Sequence, residues 1–320
     1  MPGTTTAAPL SVAHFPRESE RSARLRRYLN AYWLRPENAL WMTLRSLALL
    51  EVELSEPALD LGCGDGLFSF LHAGGELDSD FDVFRSVAHL DRVTRGHADM
   101  FDHFDPGYAP RVLRRPARMI DTGADLKPAL LRKAETLGLY RNLIEHDSEA
   151  PQPFPDAAFA TVYCNCAYWI RDLDGLLEEL ARIVRPRGRV VLQVKLADMA
   201  GYTLAAFREH LGAAFLDIIG RGRLACWPSL LSRGEWERRF RAAGLAIVSA
   251  APIATRTHAE VWDVGLRPVA PLLVRMAGGL SPQAGSEITR EWVELMFAVG
   301  QPLCRHDFDP TTRGGEPAEV

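Results

Sequence analysis

The sequence predicts an α/β fold, with helices covering both faces of a doubly wound, mostly parallel sheet. Helix-type and strand-type segments alternate between residues 118 and 194, the pattern of βα units whose crossovers leave neighbouring strands parallel. Residues 58–68 read ALDLGCGDGLF, a short apolar strand, a glycine turn and the start of a helix. Ahead of that strand, Leu25, Leu29, Trp33, Leu40, Leu44, Leu47 and Leu50 recur near helical spacing. Pro36 splits this run into two helices.

Taken in order, residues 1–16 are expected to be a disordered tail and 17–54 a helical cap. The core, 55–200, opens with a strand at 58–61 and a helix at 67–72. Between 78 and 117 the texture changes to Asp78, Asp80, Asp82, Asp91, Asp99, Asp102 and Asp105 interleaved with Phe81, Phe84, Phe101, Phe104 and Tyr108. This reads as an insertion after the first βα unit. Alternation resumes with strands near 118–120, 143–144, 160–164 and 189–194 and helices near 127–138 and 173–184. Arg185-Pro186-Arg187-Gly188 is a helix stop and turn. Residues 201–304 hold further strands at 245–249 and 259–264, covering helices at 203–219 and 233–243, and C-terminal helices at 268–279 and 287–300. The Gly/Pro/Glu-rich stretch 305–320 is expected to be disordered.

Composition narrows the function classes. A formal charge of −4 argues against a strong phosphate-backbone binder, which needs a basic surface to displace counterions. No nucleic-acid partner is expected, and Arg141, Arg182, Arg185, Arg187 and Arg189 read as a solvated rim. The five cysteines are too scattered for a disulfide framework. No apolar run reaches the roughly 18 residues of a membrane span; 269–280 comes nearest, and Arg275 interrupts it. A soluble cytoplasmic protein is expected, with oligomeric state left open. No metal is expected either. The set His97, Asp99, Asp102, His103 and Asp105 fits no ligand spacing, and Cys164-x-Cys166 has the wrong spacing for zinc.

Gly62, Gly64 and Gly66 follow a strand and precede a helix, where glycine permits positive φ and close approach of a ligand. The spacing G-x-G-x-G differs from the G-x-G-x-x-G of a pyrophosphate site. Asp65 inside the turn would repel phosphate at the helix start. A cofactor whose charges are an amino acid and a sulfonium suits this acidic turn better.

Residues 59–66 (LDLGCGDG) resemble motif I of the class I S-adenosylmethionine-dependent methyltransferases, of the small-molecule, stand-alone bacterial type. The similarity continues through 121–134 (DTGADLKPALLRKA), 144–148 (IEHDS), 153–156 with 159–166, and 176–191 (LLEELARIVRPRGRVV). It implies a Rossmann-like, seven-stranded core and S-adenosylmethionine as cofactor. Asp60, Gly62, Cys63, Gly64 and Gly66 would then hold its methionine end. Asp125 with Leu126 would hold the ribose, although the long insertion leaves Asp91 as a competing carboxylate. Asp147 and Ser148 would face the adenine, with Asn165 following the fourth strand.

The reaction expected is methyl transfer to a small or medium-sized acceptor, a secondary metabolite or a glycan or lipid precursor, by in-line displacement. Tyr168 and Trp169 at a strand's carboxyl end, Lys195 beyond the fifth strand, and Tyr32 and Trp33 in the cap are the candidate acceptor-lining residues. Lys195 would orient an acidic acceptor, or be an ordinary polar strand end. The family's histidine segment after the fourth strand is replaced by Asn165-Cys166-Ala167-Tyr168-Trp169. The candidate catalytic groups are therefore His97, His103 and Tyr168, with His146 beside the adenine segment. Core packing competes for the aromatics, and a solvated surface for each histidine. The rival functions are an NAD(P)-dependent oxidoreductase, a non-catalytic methyltransferase-like binding protein, and RNA methylation.

Overall fold

The computed structural model describes residues 20–50, 52–95, 99–220, 226–305 and 317–319; the tail expected at 1–16 lies outside them. Helices α1 (Glu20–Ala31) and α2 (Pro36–Ala48) form the cap. Pro36 sits in the first turn of α2, where its missing N–H costs no helical bond.

The core follows as β1 (Ala58–Leu61) and α3 (Leu67–His72). The insertion begins at β2 (Glu76–Leu77), contains α4 (Leu90–Arg95), and closes at β3 (Val112–Arg114), which pairs antiparallel with β2. Its aspartates are turn formers. Asp82 accepts from Phe84 N and Asp99 from Phe101 N, each starting a 3-10 turn. Val83, Phe84, Val87 and Val93 are buried.

The sheet is completed by β4 (Ile120–Asp125), β5 (Tyr140–Glu145), β6 (Phe159–Cys164) and β7 (Val184–Leu192), with α5 (Pro128–Leu137) and α6 (Leu173–Ile183) as crossovers. The order is β5-β4-β1-β6-β7, all parallel. The chain thus winds outward from β1 on one side and then on the other. Such a reversal leaves a crevice at the carboxyl ends of the central strands. Helix α5 runs from Pro128 to a left-handed Gly138. Helix α6 is capped by Asp172 and buries Leu173, Leu176, Leu177, Leu180 and Ile183.

Past the sheet come α7 (Arg208–Leu211), α8 (Ala213–Gly220), α9 (Arg233–Ala242), β8 (Ala254–Thr255), α10 (Arg256–Glu260), α11 (Ala270–Ala277), α12 (Pro282–Arg305) and β9 (Pro317–Glu319). Helix α12 packs along α1, with an ion pair between Arg26 and Glu294. Among the described residues no helix is long and apolar enough to cross a membrane.

Several expectations change. The parallel sheet has five strands among the described residues, where seven were expected. Residues 245–249 form no strand, and Val248 is 92% exposed. Residues 259–264 are helical, running from α10 into a π-helical turn at Val261–Leu266. Ala259, Trp262 and Asp263 share one buried face, and an Asp263–Arg267 pair one helical turn apart locks it. The helix expected at 203–219 breaks at Gly212 (φ +77°). Strand β4 extends past the expected 118–120, because Thr122, Gly123 and Ala124 are buried between two neighbouring strands. The turn at 185–188 bulges from β7, with Arg187 at φ +67°. Pro317–Glu319, inside the expected tail, pairs antiparallel with β8. Arg182 is half-buried and donates to the Gln152 and Phe154 carbonyls and to Glu179 and Asp156.

Candidate active site

The glycine turn lies at the reversal point of the sheet. Gly62, Gly64 and Gly66 have φ of +74°, +59° and +70°, the left-handed region that glycine enters without strain. They differ in what surrounds them. A Cβ on Gly62 would meet Cys166 Sγ at 2.6 Å, and one on Gly66 the Tyr140 ring at 2.9 Å. A Cβ on Gly64 would meet nothing within 4 Å. Asp65 turns its carboxylate onto the start of α3, where Oδ1 accepts from Leu67 N at 3.1 Å. Burial raises the Asp65 carboxyl above the ordinary range, opposed by the Leu67 N–H and by Lys133.

Asp60, expected at a ligand, is instead 2% exposed beneath the turn. Its Oδ2 accepts from Ser69 Oγ at 2.6 Å and from the Tyr140 hydroxyl at 2.7 Å. Burial, only partly offset by these donors, raises its pKa to about 6. Cys63 is buried beside Asp60, Asp125 and Asp65; burial and these carboxylates push its thiol far up.

Asp125 ends β4 next to this turn. One oxygen accepts from Gly64 N and the other from Lys127 N, both at 2.9 Å, which leaves each with a further lone pair. Leu126 is exposed beside it. Asp147, past the end of β5, is exposed and caps Glu149 N through Oδ1. The Ser148 hydroxyl reaches Cys166. Asn165, past β6, donates to the Tyr163 hydroxyl at 3.4 Å, and Tyr163 donates to Gln193 Oε1. Asp60, Asp125, Asp147 and Asn165 therefore lie at or just past the carboxyl ends of β1, β4, β5 and β6.

On the other side of β1, Tyr168 is buried and Trp169 is 53% exposed. The Tyr168 hydroxyl accepts from Arg45 of α2 at 3.1 Å. Lys195 is only 3% exposed. Its ammonium lies 4.4 Å from the ring centre of Trp41, 5.0 Å from Tyr168, 5.2 Å from Trp227 and 5.5 Å from Trp262.

From the cap, Tyr32 is buried near Asp65 and Arg35; burial, and then Asp65, raise its phenol well above the usual value. Trp33 is buried, its side chain bonded to Asp82 of the insertion and its carbonyl to the Trp292 indole. Trp33 thus ties three elements together. His97 and the side chain of Asp91 lie outside what is described. His103 ends a 3-10 turn that docks on the β4 side, where Lys127 bonds Asp99 at 2.7 Å and Asp102 at 2.6 Å. That is across β1 from Tyr168, and the structure does not bring the two together. His146 Nε2 is buried with no hydrogen-bond partner among the described residues. The Cys164 and Cys166 sulfurs, 3.6 Å apart, pack under the turn. Tyr140, Arg45, Trp227 and Trp262 stand in no sequence motif, and Trp262 falls in a segment whose pattern predicts a strand.

A family model described as a methyltransferase domain matches residues 25–250. Among curated proteins, none matches the chain. Among solved structures, a chain from the complex of the Haloferax volcanii Trm112 methyltransferase activator with a methyltransferase is 20% identical. Its alignment covers 75% of this chain and 82% of that one, at a TM-score of 0.40. The YcgJ protein of Bacillus subtilis is 17% identical over 76% and 86%, at 0.39. The [4+2]-cyclase SpnF is 16% identical over 82% and 77%, at 0.41. The family match runs through the glycine turn and all five parallel strands. The chain belongs to the class I methyltransferase-domain family and is an S-adenosylmethionine-dependent methyltransferase.

Proposed function

We propose that the chain methylates a small or medium-sized acceptor, a secondary metabolite or a glycan or lipid precursor, held at the carboxyl ends of β6 and β7. The observation that carries this reading is the division of labour in the glycine turn. Gly62 and Gly66 are closed by protein, Gly64 alone opens to space, and Asp65 occupies the helix start that a pyrophosphate would need. S-adenosylmethionine fits such a donor set. The Asp125 lone pairs suit two ribose hydroxyls, with Leu126 beside them, and Asp147 and Ser148 with Asn165 suit the adenine side. Gly62, Cys63 and Gly64 line the methionine end, while Asp60 holds the turn from below through Ser69. When bound, the cofactor supplies a sulfonium-activated methyl group for in-line displacement.

The chain's own residues then position the acceptor and exclude water. Tyr168 is the group best placed to touch the acceptor, and Trp169 offers an exposed ring beside it. Tyr32, over the turn, and Lys195, beyond β7, bound the same space. The cap at 17–54, the insertion at 78–117 and the helices within 201–304 are the covering elements. His103 falls on the cofactor side in this reading, so positioning contributes more than a histidine base. A nucleic-acid partner is not part of the proposal, given the charge of −4. A cytoplasmic location is part of it, because five scattered cysteines suit reduced thiols rather than a disulfide framework.

Thermal-shift and calorimetric titration with S-adenosylhomocysteine and with NADH tests this reading. The expected result is stabilisation by the first and none by the second. The reverse would establish the oxidoreductase alternative. Cofactor binding with no methyl transfer to any of a broad panel of acceptors would favour a non-catalytic binding protein.

A further inference from the structure

Three polar side chains at the carboxyl ends of β6 and β7 are joined in one hydrogen-bonded chain whose direction is fixed. Gln193 Nε2 donates to the Arg45 carbonyl of α2 at 3.1 Å. The Tyr163 hydroxyl lies 2.9 Å from Gln193 Oε1, and Asn165 Nδ2 lies 3.4 Å from the Tyr163 hydroxyl. Gln193 and Tyr163 are buried, and Asn165 is half-buried.

The direction follows from the one partner that cannot change its role. A backbone carbonyl only accepts, so Gln193 must turn its amide nitrogen to Arg45 and its oxygen to Tyr163. Tyr163 has a single hydroxyl proton, and Gln193 Oε1 takes it. Burial raises the Tyr163 phenol well above its usual value, so that proton stays on. Towards Asn165 the hydroxyl can then only accept. Asn165 must present Nδ2 to it, which leaves Oδ1, an acceptor, for a ligand. The surroundings hold this order. The Tyr163 ring stacks on Phe68 at 6.1 Å, and the Gln193 backbone N–H donates to the Cys164 carbonyl at 3.2 Å. Turning the Asn165 amide over would set Oδ1 against the Tyr163 oxygen with no proton between them, a costly contact.

We infer that Tyr163 and Gln193 are positioning residues that hold Asn165 as a hydrogen-bond acceptor for the exocyclic amino group of the cofactor's adenine, and so select it over an oxo purine. This rests on the proposed placement of the adenine beside Asn165. Of the polar groups on the adenine ring only the exocyclic amino group donates; the ring nitrogens accept. An oxo purine would set its carbonyl oxygen against Asn165 Oδ1, and the amide could not turn to meet it. The selection is thus imposed from α2, through two side chains that need not touch the ligand.

The test is calorimetry on the full chain with S-adenosylhomocysteine and its oxo counterpart, S-inosylhomocysteine. The wild type should prefer the adenine form by about tenfold or more, the difference between a paired and an opposed hydrogen-bonding group. Tyr163→Phe removes the hydroxyl, and Gln193→Met removes the acceptor that takes its proton. Either change lets the Asn165 amide turn its nitrogen to the oxo group. S-inosylhomocysteine should then bind about threefold to tenfold more tightly than it binds the wild type. Loosening of the fold would weaken both ligands, so a gain for one of them reads the chain itself. Thermal melts establish which variants are folded, and Gln193→Met, which keeps the Tyr163 ring, serves should Tyr163→Phe not fold. A preference for the adenine form that no folded variant lowers overturns the proposal. Asn165→Ala separates this failure from failure of the cofactor placement. If it lowers the preference while the other two variants do not, the positioning chain alone fails. If it leaves the preference unchanged, Asn165 does not meet the purine, and the placement fails together with the chain.

Discussion

The Tyr140 hydroxyl donates to the Asp60 carboxylate at 2.7 Å, although β4 lies between their strands. The ring reaches across because Gly123 of β4 has no side chain. A Cβ there would meet the Tyr140 ring at 2.9 Å, as would one on Gly66. Tyr140→Phe should cost about 1–3 kcal/mol, the usual penalty for leaving a buried acceptor short of a donor. Gly123→Ala should cost a similar amount, about 1–3 kcal/mol of overpacking. In Gly123→Ala/Tyr140→Ala the collision is gone, so urea unfolding of the double variant should show clear non-additivity. Additive losses would show that the ring does not depend on Gly123.

Asp60 gives the fold a defined pH dependence. Its carboxyl titrates at about 6 in the folded chain, against roughly 3.9 when unfolded. Between those values the folded state binds more protons than the unfolded one. Its contribution is therefore present in full below about pH 4 and lost as pH rises through about 6, a swing on the order of 3 kcal/mol. Asp60→Asn does not titrate. The stability advantage of the wild type over this variant should shrink between pH 4.5 and 7. An advantage independent of pH would mean that burial does not set this group's titration.

Asp125→Ala should weaken S-adenosylhomocysteine binding by about tenfold to a hundredfold, the value of one or two charge-assisted hydrogen bonds. Far-ultraviolet dichroism should stay native, because β4 keeps its pairing with β1 and β5. Unchanged affinity in calorimetry would move the ribose assignment to Asp91.

Asp263 and Arg267 form a buried pair at 2.5 Å, and the second Asp263 oxygen accepts from Leu204 N at 2.8 Å. Asp263→Ala breaks the pair and leaves Leu204 N without its acceptor, which should destabilise the protein by about 3–5 kcal/mol in urea melts. A loss below about 1 kcal/mol would place the pair in the class of exposed ion pairs.

The central strands were legible because their signals are local. The run 58–68 declares strand, turn and helix within a few residues, and α6 shows its apolar face in Leu173, Leu176, Leu177, Leu180 and Ile183. Strand β4 was harder. Its Thr122-Gly123-Ala124 centre reads as a turn, and its small residues make sense only once Tyr140 is seen lying over them. The π-helical turn at Val261–Leu266 has β-branched residues that mimic a strand, and only its contacts with α2 decide otherwise. The positions of Asp125 and Asp147 at strand ends follow from the alternation of helix and strand. The rings around Lys195 do not, because Trp41, Tyr168, Trp227 and Trp262 are distant in sequence and share no spacing.

The ribbon of β2 and β3 pairs Glu76 with Arg114 and Leu77 with Val112, so the insertion leaves and rejoins the core at neighbouring points. The sheet behind it is unaffected by how many residues lie between. Such a segment is an interchangeable cassette. It can lengthen, shorten or be grafted from another chain while the strand register stays as it was. Divergence within this architecture can therefore proceed by exchanging this segment rather than by rebuilding the sheet behind it.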